Sequence, residues 1–219
     1  MRNFRGILFD FDGVLADTME DHFRAWHSVL ADFGIALTRE EFLPHEGMPT
    51  REMAKIFCGL GDRPDALTLA DQIVAQKDRH YVGHRKQLKF YSGVEELVES
   101  LHQRGVPLAI VSGGQFKRIS VTVPSSFLEK FKAIITGEMT ERGKPFPDPY
   151  LKGARMLGVD PEKCVVVENA PLGIRAAKAA GAYCIAIAST LGREQLAEAD
   201  EVLEEFTELK DHPLIQSMI

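Results

Sequence analysis

Gly6 to Thr18 read GILFDFDGVLADT. Ile7, Leu8 and Phe9 form a short apolar run with strand character that ends on two carboxylates, Asp10 and Asp12, with Gly13 directly after them. On an extended chain, side chains two apart point the same way. Both carboxylates therefore face one site at the C-terminal tip of a strand, where open α/β sheets hold their ligands. Gly13 lets the backbone turn away sharply. Two anions held together are costly unless something positive lies between them, and Mg²⁺ suits a phosphate-facing site with few carboxylates. The plainer alternative is a strand followed by an acidic turn.

Outward from this stretch, short apolar runs alternate with helical patterns. Strands are predicted at 6–10, 107–111, 132–135, 164–167 and 183–187, with a weaker one near Val202; helices are predicted at 93–104, 115–122, 147–157 and 171–180. That alternation predicts a parallel sheet with helices on both faces. The region from about 16 to 87 breaks it. Phe23, Trp26, Leu30 and Phe33 recur at helical spacing, with Gly34 as a stop, and further helices fit 50–59 and 65–82, the last stopped near Gly83. A four-helix insertion over the sheet edge is the expectation.

Three more segments carry chemistry at predicted strand tips. Ser112, Gly113 and Gly114 place a hydroxyl and lightly shielded amides before a helix, an arrangement suited to phosphate oxygens, although the same triplet makes ordinary turns. Lys144 is followed by Pro145 and Pro147, which pre-set the loop and the helix start and so hold the lysine in place. A solvated surface lysine is the bland reading. Glu168 and Asn169 end the CVVV run ahead of Pro171 and offer oxygen ligands at a strand tip, or simply a turn.

Composition sets bounds. The chain has 219 residues and a formal net charge of −6, which argues against nucleic acid or an anionic membrane as partner. Cys58, Cys164 and Cys184 cannot all pair within the chain and lack metal-ligand spacing, so reduced thiols are expected. Asp10 and Asp12 interrupt the N-terminal apolar stretch before it could act as a signal-peptide core. No apolar run reaches the roughly 20 residues that span a bilayer. The expectation is a cytoplasmic monomer with a small-molecule substrate.

Taken together, DFDGVLADT at 10–18, Ser112, Lys144 in KPFPDP, and the Glu168-Asn169 pair resemble the haloacid dehalogenase superfamily in the subgroup with a helical cap. Within it, DTMEDHFRAW at 17–26 and GMPTRE at 47–52 are similar to the β-phosphoglucomutase branch. The resemblance implies an α/β, Rossmann-like core of residues 1–15 and 88–219 and a helical cap of 16–87. It implies Asp10 as nucleophile and Asp12 as the acid and base, protonated part of the time. Ser112, Gly113, Gly114 and Lys144 would hold the phosphoryl group. Mg²⁺ would lie between Asp10, the Asp12 carbonyl, Glu168 and Asn169. In the cap, His22, Arg51 and Lys77 match positions that serve the proton path or a second phosphate.

The chain also departs from the pattern. Many relatives carry an acid where this chain has Asn169, so either Glu168 alone supplies the charge or Mg²⁺ binds more weakly. The mutase pattern expects a lysine where Glu46 stands, and Ala-Ser-Lys where Gly113-Gly114-Gln115 stand. These departures favour a Mg²⁺-dependent phosphatase of a small phosphorylated metabolite, a sugar phosphate by expectation. The alternatives are a β-phosphoglucomutase, then a dehalogenase or a non-catalytic binding protein.

Overall fold

Apolar runs too short for helices become the strands β1 (Gly6–Phe9), β2 (Leu108–Val111), β3 (Ala133–Ile135), β4 (Cys164–Glu168), β5 (Tyr183–Ile187) and β6 (Glu201–Leu203). The computed structural model describes residues 3–61, 64–84 and 89–218. All neighbouring strands pair in parallel, in the order β3-β2-β1-β4-β5-β6. The order reverses between β1 and β4, and ligands of such sheets bind in the crevice outside the strand ends at that point. Phe9 lies opposite both Ile110 and Val167. Asp10, one step on, is therefore level with Val111 and Glu168.

Strand alternation builds two apolar layers, one on each face of the sheet. Ile7, Phe9, Leu108, Ile110, Val165, Val167, Ile185 and Ile187 point to one face, where they meet Val94, Leu97, Val98 and Leu101 of α5 (Val94–Gln103) and Ile119 of α6 (Phe116–Thr122). Leu8, Ala109, Val111, Cys164, Val166, Cys184 and Ala186 point to the other face, under Tyr150, Ala154 and Leu157 of α8 (Asp148–Leu157) and Ile174 and Ala177 of α9 (Pro171–Ala179). Burial on both faces explains why these strands read as continuous apolar runs. Two further short helices are α7 (Ser125–Leu128) and α10 (Pro213–Gln216).

Between β1 and α5 lie α1 (Met19–Asp32), α2 (Arg39–Phe42), α3 (Thr50–Phe57) and α4 (Ala66–His84). They enclose a third apolar cluster drawn wholly from their own stretch, including Trp26, Val29, Leu30, Phe42, Met53, Ala70 and Ile73. The chain leaves and rejoins the sheet at adjacent points, since Ala16 bridges Phe90 and the Asp17 N–H donates to the Lys89 carbonyl at 2.9 Å.

One local expectation is corrected. The buried stripe of α1 runs through His22, Trp26, Val29 and Leu30, while Phe33 lies beyond the helix at 49% exposure, because the Ala25 and Val29 positions complete a narrower face than the aromatics suggested. α4 runs to His84, one residue past the Gly83 near which its stop was expected. The expected boundary at 87 and 88 lies outside the described residues. Among the described residues no helix is long and apolar enough to cross a membrane, and the three cysteines are free.

Candidate active site

Asp10 leaves the tip of β1 with its N–H donating to the Val167 carbonyl at 2.9 Å. Lys144 Nζ lies 2.6 Å from Asp10 Oδ1 and 2.6 Å from Glu168 Oε1, so one buried ammonium joins the tips of β1 and β4. Burial outweighs the Lys144 attraction, and with the Glu168 and Asp12 charges it pushes Asp10 up to about 7. A divalent cation beside Asp10 would reverse that direction. Burial opposes the charged form of Lys144 too, but Asp10 and Glu168 hold it above the usual lysine range.

Glu168, expected among the metal ligands, has both carboxylate oxygens engaged by donors in this arrangement. Its Oε1 accepts from Lys144 and from the Tyr150 hydroxyl at 2.7 Å, and its Oε2 accepts from the N–H groups of Asn169 at 2.8 Å and Ala170 at 3.0 Å. Glu168 positions Lys144. A Cβ at Gly173 would stand 1.7 Å from Glu168 Oε1, so only glycine lets the first turn of α9 come this close.

Gly13, at φ 84°, turns the chain after Asp12. The Asp12 side chain meets a different set of partners. Arg118 grips it with Nη1 on Oδ1 at 2.8 Å and Nη2 on Oδ2 at 2.6 Å; Thr18 donates to Oδ1 at 2.6 Å. His22 Nε2 lies 3.1 Å from the same oxygen, and its Nδ1 lies 2.8 Å from Lys77 Nζ. An ammonium only donates, so Nδ1 accepts and the ring proton sits on Nε2, aimed at Asp12. Burial would raise Asp12, but Arg118 and then His22 overcome it and hold the carboxyl well below its ordinary range. Arg118 thus favours the ionised form of Asp12 in this arrangement, whereas the expected acid and base role has it protonated part of the time. Burial, and then the Lys77 charge, pull His22 down to about 3, while burial and the Arg118 charge pull Lys77 down to about 8.

Ser112, at the tip of β2, accepts from the Gly114 N–H at 3.1 Å and from Arg118 Nη2 at 3.2 Å. A Cβ on Gly113 would stand 3.1 Å from the Gly47 carbonyl oxygen, so the turn after α2 sits directly over the tip of β2. Asp10, Asp12, Gly113, Gly114, His22 and Lys77 line one small cavity of about 50 Å³, together with Trp26, Glu46 and Arg118. Arg51 is not among them. It lies in an exposed ion pair with Asp71 at 2.6 Å, on the wall of an open cleft of about 540 Å³ that reaches Gly113 and Lys144.

Oxygen donors for a cation are present, though not as a cage of acids. Among the described residues no three His, Cys, Asp or Glu side chains gather as a metal site. Asn169 Oδ1 is buried without a partner, however, beside the tip that carries Asp10. The Asp10 carboxylate, the Asp12 carbonyl and this amide oxygen are all hard oxygens, the donor chemistry that Mg²⁺ takes.

Arg118, Glu46, Thr18, Tyr150 and Thr190 all take part in this network, and none was expected to. Arg118 follows Lys117 and reads as one of a pair of surface charges; its spacing to Ile119 and Thr122, which share its buried face, was the signal available.

A parallel sheet with an acid, a lysine and a hydroxyl gathered at neighbouring strand tips defines an α/β enzyme of the hydrolase or phosphotransferase type. The model of the family described as haloacid dehalogenase-like hydrolase matches residues 7–187. Hexitol phosphatase A of Escherichia coli is 30% identical over 207 residues, covering 94% of this chain and 93% of its own. The β-phosphoglucomutase of Bacillus subtilis is 26% identical over 193 residues, covering 84% and 83%. The structure of CbbY from Rhodobacter sphaeroides in complex with phosphate superposes with a TM-score of 0.77 at 31% identity, over 94% of this chain and 96% of that one. The chain belongs to the haloacid dehalogenase-like hydrolase family.

Proposed function

We propose that this enzyme hydrolyses small phosphorylated carbohydrates through an aspartyl phosphate on Asp10, with Mg²⁺ as cofactor. The observation that carries the reading is that two carboxylates two residues apart line one cavity in opposite settings, Asp10 on Lys144 and Asp12 on Arg118 and His22. In this reading residues 1–15 and 88–219 are the catalytic core and 16–87 its cap, and the protein acts in the cytoplasm as a monomer.

Asp10 attacks phosphorus and the sugar oxygen leaves, which divides one hard displacement into two easier ones. Lys144, the Ser112 hydroxyl and the Gly113 N–H hold the phosphoryl oxygens, and phosphoryl transfer depends mainly on such positioning and charge stabilisation. Asp12 gives a proton to the leaving oxygen and later takes one from water. To do so it must come away from Arg118, and an incoming phosphate competes for that guanidinium. Bound Mg²⁺, held by Asp10, the Asp12 carbonyl and Asn169, would supply charge neutralisation between carboxylate and phosphoryl group.

A mutase is the second reading, favoured by Lys77 and Arg118, two buried cations that line the cavity. One experiment separates the two. A panel of sugar phosphates is assayed with Mg²⁺ and with EDTA, for the wild type and for Asp10→Asn. Phosphate release should require Mg²⁺ and fall below about one per cent in the variant, in keeping with nucleophile losses. Supplied with β-glucose 1-phosphate and a trace of glucose 1,6-bisphosphate, the enzyme should yield inorganic phosphate faster than glucose 6-phosphate. Glucose 6-phosphate with almost no free phosphate supports the mutase; full turnover in EDTA overturns the metal-assisted mechanism.

A further inference from the structure

Glu46 and Asn169 are two of the positions where the chain departs from the pattern it otherwise resembles, and the fold brings them into contact. Asn169 follows β4 at the sheet tip, and Glu46 lies in the turn between α2 and α3, 123 residues away. Asn169 Nδ2 donates to Glu46 Oε2 at 3.3 Å and to Thr190 Oγ1 at 2.9 Å, while the Thr190 hydroxyl donates to Glu46 Oε2 at 2.8 Å. Both amide hydrogens are thereby used, which fixes which way the amide faces. One oxygen is left over on each side chain. Asn169 Oδ1 and Glu46 Oε1 are both buried without a partner among the described residues.

Glu46 is 2% exposed and Asn169 1%. Leaving a buried acceptor unsatisfied costs about 1–3 kcal/mol, so two on touching side chains call for a shared explanation. Charge supplies one. Lys144 offsets one of the two charges on Asp10 and Glu168, Arg118 offsets Asp12, and Asn169 is neutral. A divalent cation there would meet one net negative charge from these groups. Glu46 lines the same cavity as Asp10 and Asp12 and brings a second.

We propose that Glu46 is the acid position 169 lacks: a carboxylate supplied by the helical insertion that holds the divalent cation together with Asp10 and Asn169 Oδ1. The proposal rests on the metal-assisted reading above. Metal affinity then depends on the insertion being seated on the sheet. The seat is close, since a Cβ on Gly47 would stand 3.6 Å from Ala170 Cβ and 3.8 Å from Lys144 Cδ.

The test is calorimetric titration of Mg²⁺ into metal-free, substrate-free protein, for the wild type, Glu46→Gln, Asn169→Asp and the double variant. Glu46→Gln should weaken Mg²⁺ at least about tenfold, in the range seen for lost metal-site partners. Adding Asn169→Asp to it should restore the affinity to within about threefold, because the charge then comes from position 169. Wild-type affinity in Glu46→Gln overturns the proposal and leaves the metal-assisted reading standing. A loss that Asn169→Asp does not repair also overturns it, by making Glu46 a latch rather than a metal partner. No Mg²⁺ binding by the wild type overturns both.

Discussion

Replacing Arg118 with methionine removes the guanidinium from both oxygens of Asp12 while keeping much of the side chain's apolar volume. The pair is well shielded, at 7% exposure for Arg118 and 15% for Asp12. Removing one partner of a buried ion pair costs about 3–5 kcal/mol, because the other charge stays buried and unpaired. Asp12 keeps its Thr18 and His22 bonds, so the lower end applies, about 3 kcal/mol at neutral pH. The loss depends on pH. In the wild type the folded Asp12 titrates below its unfolded value, so the stabilisation is complete above ordinary carboxylate pH and disappears as pH falls through the depressed value. In the variant burial remains and the largest opposing charge is gone, so Asp12 titrates higher than in the wild type. Its folded state then binds more protons than the wild-type folded state over that range, and the wild type gains on it in stability as pH rises. The gap between the two proteins should therefore be smallest near pH 4 and widest near pH 7. Urea unfolding in EDTA measures it: with slopes of about 1–3 kcal/mol per molar, 3 kcal/mol moves the midpoint by about 1–3 M. A gap under about 1 kcal/mol that is flat across this range would refute the reasoning, since surface pairs behave that way.

Gly173→Ala drives a Cβ into Glu168 Oε1, and overpacking of about 1–3 kcal/mol should lower the melting temperature by several degrees in a chain of this size. Because Glu168 positions Lys144, kcat should fall as well; a melting curve and kcat both at wild-type values would show that α9 can shift aside. Lys77→Met breaks the bond to His22 Nδ1 inside the cavity, whereas Arg51→Ala breaks an exposed pair with Asp71 outside it. The first should reduce kcat/KM at least about tenfold and the second less than about threefold, as charge-assisted and surface contacts differ. Equal losses in steady-state kinetics would place Arg51 in the substrate pocket after all.

Five strands were legible because both faces of the sheet are covered there, which leaves uninterrupted apolar runs such as Cys164 to Val167 bounded by turn residues, whereas β6, half-buried along its length, showed only as a weaker segment near Val202. The insertion's helices were legible from periodicity, but its packing was not: Phe33 counted as core because an aromatic at the right spacing carries no sign of where its helix ends. Asp10, Asp12, Ser112 and Lys144 were visible as types of residue at strand tips. Their pairings were invisible. That Arg118 turns inward from a Lys-Arg pair, that Glu168 uses both oxygens on donors, and that Glu46 meets Asn169 depend on contacts between segments far apart in sequence.

Those long-range contacts bear on how the chain folds. Arg118 reaches Asp12 across 106 positions, Lys144 reaches Asp10 across 134, and Asn169 reaches Glu46 across 123. Each contact closes a loop spanning about half the chain, and the entropy of closure must be met before the contact returns anything. A refolding molecule can thus regain its helices, and even neighbouring strand pairs, while the two carboxylates at the β1 tip still lack their cations. Catalytic competence thus waits on the same long loop closures that pair β1 with β2 and β4, which makes turnover a more sensitive gauge of native assembly than helix content.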